Sequence, residues 1–96
     1  MFLWLAYDIS DSRQRREVSR LCKQAGLVRI QKSVFLGKLK REAATELERA
    51  SSQLIDAGTD RLYCMSLDKA TYRAMRRYGQ DFNHTELQAP FVHLFF

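Results

Sequence analysis

The chain has 96 residues, and its 16 Lys plus Arg against 11 Asp plus Glu leave a formal charge of +5. That length allows one small domain with a single core, in which folding hides about 60–65% of the unfolded chain's surface. An apolar content of 46% excludes intrinsic disorder. In chain order, residues 2–9 predict a strand that is apolar on both alternating faces, Phe2, Trp4 and Ala6 on one and Leu3, Leu5, Tyr7 and Ile9 on the other. A strand of that kind needs cover on both sides. The apolar opening from Met1 to Tyr7 is too short to span a bilayer and stops at Asp8. It also lacks the basic leader and small-residue cleavage site of a secretory signal.

Ser10 or Asp11 offers an N-cap for a helix running to residue 25. Val18, Leu21, Cys22 and Ala25 form its core stripe, Arg13, Arg16, Arg20 and Lys23 recur on another face, and Gly26 ends it. Residues 27–39 are too long for one strand of the usual five or so residues. They read as a strand over 27–31, a tight turn or kink at Lys32–Ser33, and a strand over 34–39. A helix over 41–57 follows, stopped by Gly58, then a strand over 60–67 and a short helix over 69–77 capped by Asp68. Residues 79–90 are expected to be irregular, and 91–96 a final apolar strand. Cys22 and Cys64 form no CxxC unit and no zinc-ligand spacing. Both read as small buried hydrophobes in a reducing cytoplasm, which makes a cytoplasmic protein without a membrane partner the expectation.

The order βαββαβ plus an extra C-terminal strand predicts an α+β fold, a single ferredoxin-like domain over 1–96 with both helices on one face of an antiparallel sheet. The other face stays apolar, so a second copy of the chain is expected to cover it as a homodimer. Charge is unevenly placed. Residues 13–41 hold ten Lys or Arg and one acid, Glu17, a net +9, and the remainder of the chain is net acidic. A surface of that kind is suited to a polyanion.

Three segments carry a family likeness: Tyr7-Asp8-Ile9-Ser10-Asp11, then Arg15-Arg16-Glu17-Val18, and above all Gly26-Leu27-Val28-Arg29-Ile30-Gln31-Lys32-Ser33-Val34-Phe35. In this order and in so short a chain they resemble the CRISPR-associated Cas-two family, the small nucleases and assembly subunits of spacer acquisition. The resemblance covers the first 40 residues in motif and the rest in outline. It implies a dimer of ferredoxin-like protomers whose C-terminal strands pack across the interface. It also implies one of two roles: metal-dependent cleavage of RNA or double-stranded DNA, or a scaffold that grips prespacer DNA beside a CRISPR integrase subunit. A toxin-type ribonuclease of similar fold is a further alternative.

Asp8, at the end of the first strand, is the expected catalytic residue and metal ligand. Phosphodiester hydrolysis needs phosphate charge neutralised and a water activated. Mg²⁺ or another divalent cation does both, bound through one or two carboxylates, and two-fold symmetry brings two copies of Asp8 to one ion. The plainer role for this residue is an Asx turn at the strand-to-helix corner. Arg15 and Arg29 match family positions that hold the phosphate, a task guanidinium groups suit; Glu17 departs from a basic position of some relatives. Tyr7, Arg16, Ser33 and Phe35 are the remaining expected nucleic-acid contacts, with core or interface packing the competing role for the two aromatics. Arg13, Arg20, Lys23, Lys38, Lys40 and Arg41 suit non-specific backbone contacts. His84 and His93 read as surface or interface residues. No RNP-type aromatic signature is present.

Overall fold

Asp11, not Ser10, starts the first helix: its carboxylate accepts the N–H groups of Arg13 at 2.7 Å and Gln14 at 3.3 Å. This cap separates strand β1 (Phe2–Asp8) from helix α1 (Ser12–Gln24). The computed structural model describes residues 1–79. The expected final strand 91–96, with His93, and the expected irregular stretch beyond Gly79, with His84, lie outside them. After α1 come β2 (Val28–Gln31), β3 (Val34–Lys38), α2 (Arg41–Leu54), β4 (Arg61–Leu67) and α3 (Lys69–Arg73). The strands form one antiparallel sheet in the order β2-β3-β1-β4, the ferredoxin-like arrangement.

Alternation along β1 divides the molecule. Leu3, Leu5, Tyr7 and the following Ile9 join Val18 and Cys22 of α1, Ala44 and Leu47 of α2, and Phe35 in the main core. On the opposite face, Phe2, Leu36, Leu67 and Tyr72 form a second cluster flanked by Trp4, Val28 and Ile30. There α3 supplies the cover: the Tyr72 ring stacks on Phe2 at 4.1 Å between centroids, nearly parallel. That helix covers only one end of the face, for Tyr63 and Met65 remain 57% and 48% exposed.

Gly26 adopts a φ of +95°, the left-handed geometry that ends α1. Gly37 answers a different demand. A Cβ there would meet Leu27 Cδ2 at 2.8 Å and the Leu27 Cα at 3.0 Å, so β3 lies directly against the turn that leaves α1. Lys32 and Ser33 form the turn of the β2–β3 hairpin, and the Ser33 carbonyl accepts the Tyr7 N–H at 3.0 Å.

Several boundaries differ from the expected ones. Helix α2 stops at Leu54, well before Gly58, because Ile55 is already extended. The Asp56 carboxylate then accepts the Gly58 N–H at 2.9 Å, so a side-chain-bonded turn follows the helix. Helix α3 ends at Arg73 instead of residue 77. Strands β1, β3 and β4 are each one residue shorter than expected and β2 starts one residue later. Among the described residues no helix is long and apolar enough to cross a membrane.

Candidate nucleic-acid interface

On α1, the core stripe of Val18 and Cys22 faces the sheet and leaves Arg15, Arg16, Arg20 and Lys23 along the helix edge beside β2. The β2–β3 turn brings Lys32 and Ser33 to the same place. The result is an open groove of about 570 Å³ lined by these residues with Tyr7, Ser19 and Arg29. Among the described residues nine line it, of which six are basic and none is acidic. A concave surface with charge of one sign concentrates the potential above it, and sugar–phosphate backbone is the matching ligand.

The floor of the groove is built in layers. Arg29 pairs across strands with Phe35, which places both side chains on the helix side of the sheet. The Arg29 guanidinium therefore lies over the Phe35 ring, 5.2 Å from its centroid, within cation–π range, and donates from Nη2 to Ser19 Oγ. Tyr7 stacks beside Phe35 at 6.3 Å. Burial pushes the Tyr7 phenol above its ordinary value, against the opposing pull of the Arg29 charge and of hydrogen bonds with Ser19 and Arg29. Beneath them, burial pushes the Cys22 thiol up to about 12, so it stays a neutral core residue at physiological pH.

Phe35 corrects one expectation. Its ring is fully buried and offers no face to a base; it acts as the platform under Arg29. Tyr7 is nearly as buried, so among the described residues the groove offers charge and hydrogen-bond donors and no aromatic stacking surface. Arg15 sits at the mouth, where one terminal nitrogen, Nη1, donates to the carbonyls of Ile9 at 3.0 Å and Ser10 at 3.2 Å. Its other donors can still reach a phosphate, since a guanidinium carries five N–H groups. Arg20 is paired with Glu17 on the exposed rim, a contact that adds little stability and mutes that one cation.

Asp8 lies at the same end of the sheet as the groove but on the opposite face. By strand alternation it follows Phe2, Trp4 and Ala6, whereas Tyr7 and Ile9 point to the helices, and its cross-strand partner is Arg61. One protomer therefore brings Arg15, Arg16, Arg29, Ser33 and Tyr7 together and leaves Asp8 around the rim of the sheet. Asp8 is exposed, and an open carboxylate fits a hydrated Mg²⁺, which takes one or two carboxylates and keeps several waters. Among the described residues no three His, Cys, Asp or Glu gather as metal ligands. Sequence reasoning missed Ser19 and Lys32 as groove residues. The signal for Ser19 was its helical spacing, three from Arg16 and four from Arg15. Lys38, Lys40, Arg13 and Arg41 line other surfaces, so the basic segment is not one patch.

Residues 1–75 match the profile of the family described as CRISPR associated protein Cas2. The chain belongs to the Cas2 family. It is 37% identical over 65 residues to a CRISPR-associated endoribonuclease Cas2 of Aeropyrum pernix, covering 68% of this chain and 71% of that one. A second protein of that description, from Chloroflexus aurantiacus, is 34% identical over 79 residues, 82% of this chain and 84% of that one. Among solved structures, Streptococcus pyogenes Cas2 superposes with a TM-score of 0.70 at 26% identity, over 82% of this chain and all of that one. A hypothetical protein from Thermus thermophilus gives 0.72 at 28% identity, over 85% of this chain and 94% of that one. The ferredoxin-like Cas2 fold thus extends over the described sheet and helices.

Proposed function

We propose that this Cas2 protein is a cytoplasmic, homodimeric, metal-dependent endonuclease of CRISPR defence that acts on RNA or DNA phosphodiesters and serves spacer acquisition. The observation that supports it most is the groove, whose described lining holds six cations and no acid, opening at the end of the sheet where Asp8 stands. The names of the relatives, endoribonucleases, favour RNA among the substrates. In this reading the chain is a single domain, and the apolar Trp4–Tyr63–Met65 face meets its copy in a dimer.

Arg16, Lys23 and Lys32 bind the phosphate backbone electrostatically, in proportion to the phosphates neutralised. Arg29, held flat by Phe35 and Ser19, and the free donors of Arg15 orient one phosphate at the rim. Asp8 from each protomer would hold a divalent ion, whose chemistry is to neutralise phosphate charge and supply a more acidic water.

The test separates binding from cleavage. Asp8→Ala is expected to bind RNA and duplex DNA as the unaltered protein does, yet cleave about 100-fold more slowly with Mg²⁺, the scale of losing one key electrostatic group. Replacing Arg16, Lys23 and Lys32 together by Ala is expected to weaken binding and flatten its salt dependence. Equal cleavage by Asp8→Ala and the unaltered protein overturns the catalytic reading. That outcome favours the second one, a DNA-binding scaffold in a complex with a CRISPR integrase subunit, which the separation of Asp8 from the groove supports.

A further inference from the structure

We infer that Asp60 is a positioning residue for Asp8, acting through the backbone of the β1–α1 corner; the inference rests on the reading of Asp8 as the cleavage-site carboxylate. The β1–β4 ladder ends at the pair Asp8–Arg61. One residue further on, the Asp60 side chain takes over from the ladder. Its Oδ1 accepts the Ser10 N–H at 3.1 Å and the Thr59 hydroxyl at 3.1 Å, and its Oδ2 accepts the Asp56 N–H at 2.9 Å. The Asp60 N–H itself donates to the Asp56 carbonyl at 2.7 Å. Its carboxylate is therefore fixed within its own loop and reaches across to the corner that leaves β1.

The corner is tied from its other side as well. Arg15 holds the carbonyls of Ile9 and Ser10, Ile9 is buried, and Asp11 is committed to capping α1. Asp8 comes immediately before these residues, and its exposed side chain has little packing of its own to set its direction. That direction is inherited from the backbone on either side, the ladder to Arg61 before the corner and the Asp60–Ser10 bond after it. Carboxylate acceptors hold N–H groups more strongly than neutral ones. A misplacement of about 1 Å at a reacting group costs up to roughly 100-fold in rate.

Asp60→Ala is expected to lower kcat about tenfold with KM and nucleic-acid affinity unchanged, and to speed hydrogen exchange at the Ser10 amide by about the same factor. Asp60→Asn, which keeps one acceptor oxygen, is expected to recover part of the rate and remains informative if Asp60→Ala folds poorly. The double variant Asp8→Ala/Asp60→Ala is expected to cleave no more slowly than Asp8→Ala alone, because a residue that acts through Asp8 has nothing left to position. An unchanged kcat in Asp60→Ala, a loss carried by KM, or a further loss in the double variant overturns the inference and leaves Asp8 in place. Full activity of Asp8→Ala overturns instead the reading on which it rests.

Discussion

The two faces of the sheet are built from the same strands, yet they are finished differently. Behind the helix face, Leu3, Leu5 and Phe35 are fully buried by α1 and α2. Among the described residues the opposite face is closed where Tyr72 lies on Phe2, and toward Asp8 it presents Tyr63 and Met65 to solvent. The contrast teaches a division of labour. One face supplies the folding energy of the protomer, and the other, apolar and solvent-facing at Tyr63 and Met65, is suited to association.

Substitutions on the two faces sharpen this contrast. Leu5→Ala, on the closed face, is expected to cost about 3 kcal/mol of stability, the usual result of emptying a fully packed leucine site; denaturant unfolding measures it. Tyr63→Ala, on the open face, is expected to change protomer stability by less than about 0.5 kcal/mol. It should nonetheless weaken self-association about tenfold or more in sedimentation, as loss of a central aromatic does. A large folding defect from Tyr63→Ala would break the division. The smallest effect concerns the α3 cover. The Thr71 N–H, donating to the Asp68 carboxylate, holds that group below its ordinary value. A depressed carboxylate contributes stability that is present above its unfolded value of about 3.9 and lost as pH falls through its lower folded one. Asp68→Asn is therefore expected to flatten the acid limb of the unfolding curve slightly.

Much of this was legible from residues whose meaning is local. The two-faced strand at 2–9, the Gly26 stop, the hairpin turn at Lys32–Ser33 and the element order all follow from periodicity and turn chemistry. The groove was half legible: a +9 segment pointed to a polyanion, but which of its cations converge depends on where α1 crosses the sheet edge. Arg20 and Lys23 enter the groove, whereas Lys38, Lys40 and Arg41 do not. Phe35 was ambiguous because an aromatic on a strand reads equally as core or as a stacking platform, and only the placement of α1 above it decides. The end of α2 was misplaced because Gly58 looks like a stop, while Asp56 bonds the turn before it. Asp60 gave no signal at all, since the bond that matters for its role is to Ser10, fifty positions away.

The bare backbone at Gly37 has a consequence for the groove far larger than its size. With no side chain between β3 and the turn at Leu27, the tail of α1 is seated on the sheet at a fixed height. Lys23, near that tail, and Lys32 with Ser33, on the hairpin that β3 carries, are then opposite jaws of a gauge whose opening is set by backbone contact. A cleft whose width is held by the scaffold binds a matching strand with little ordering cost to the protein. The spacing between α1 and the hairpin is in this sense cast into the scaffold at Gly37, where an added side chain would act as a shim.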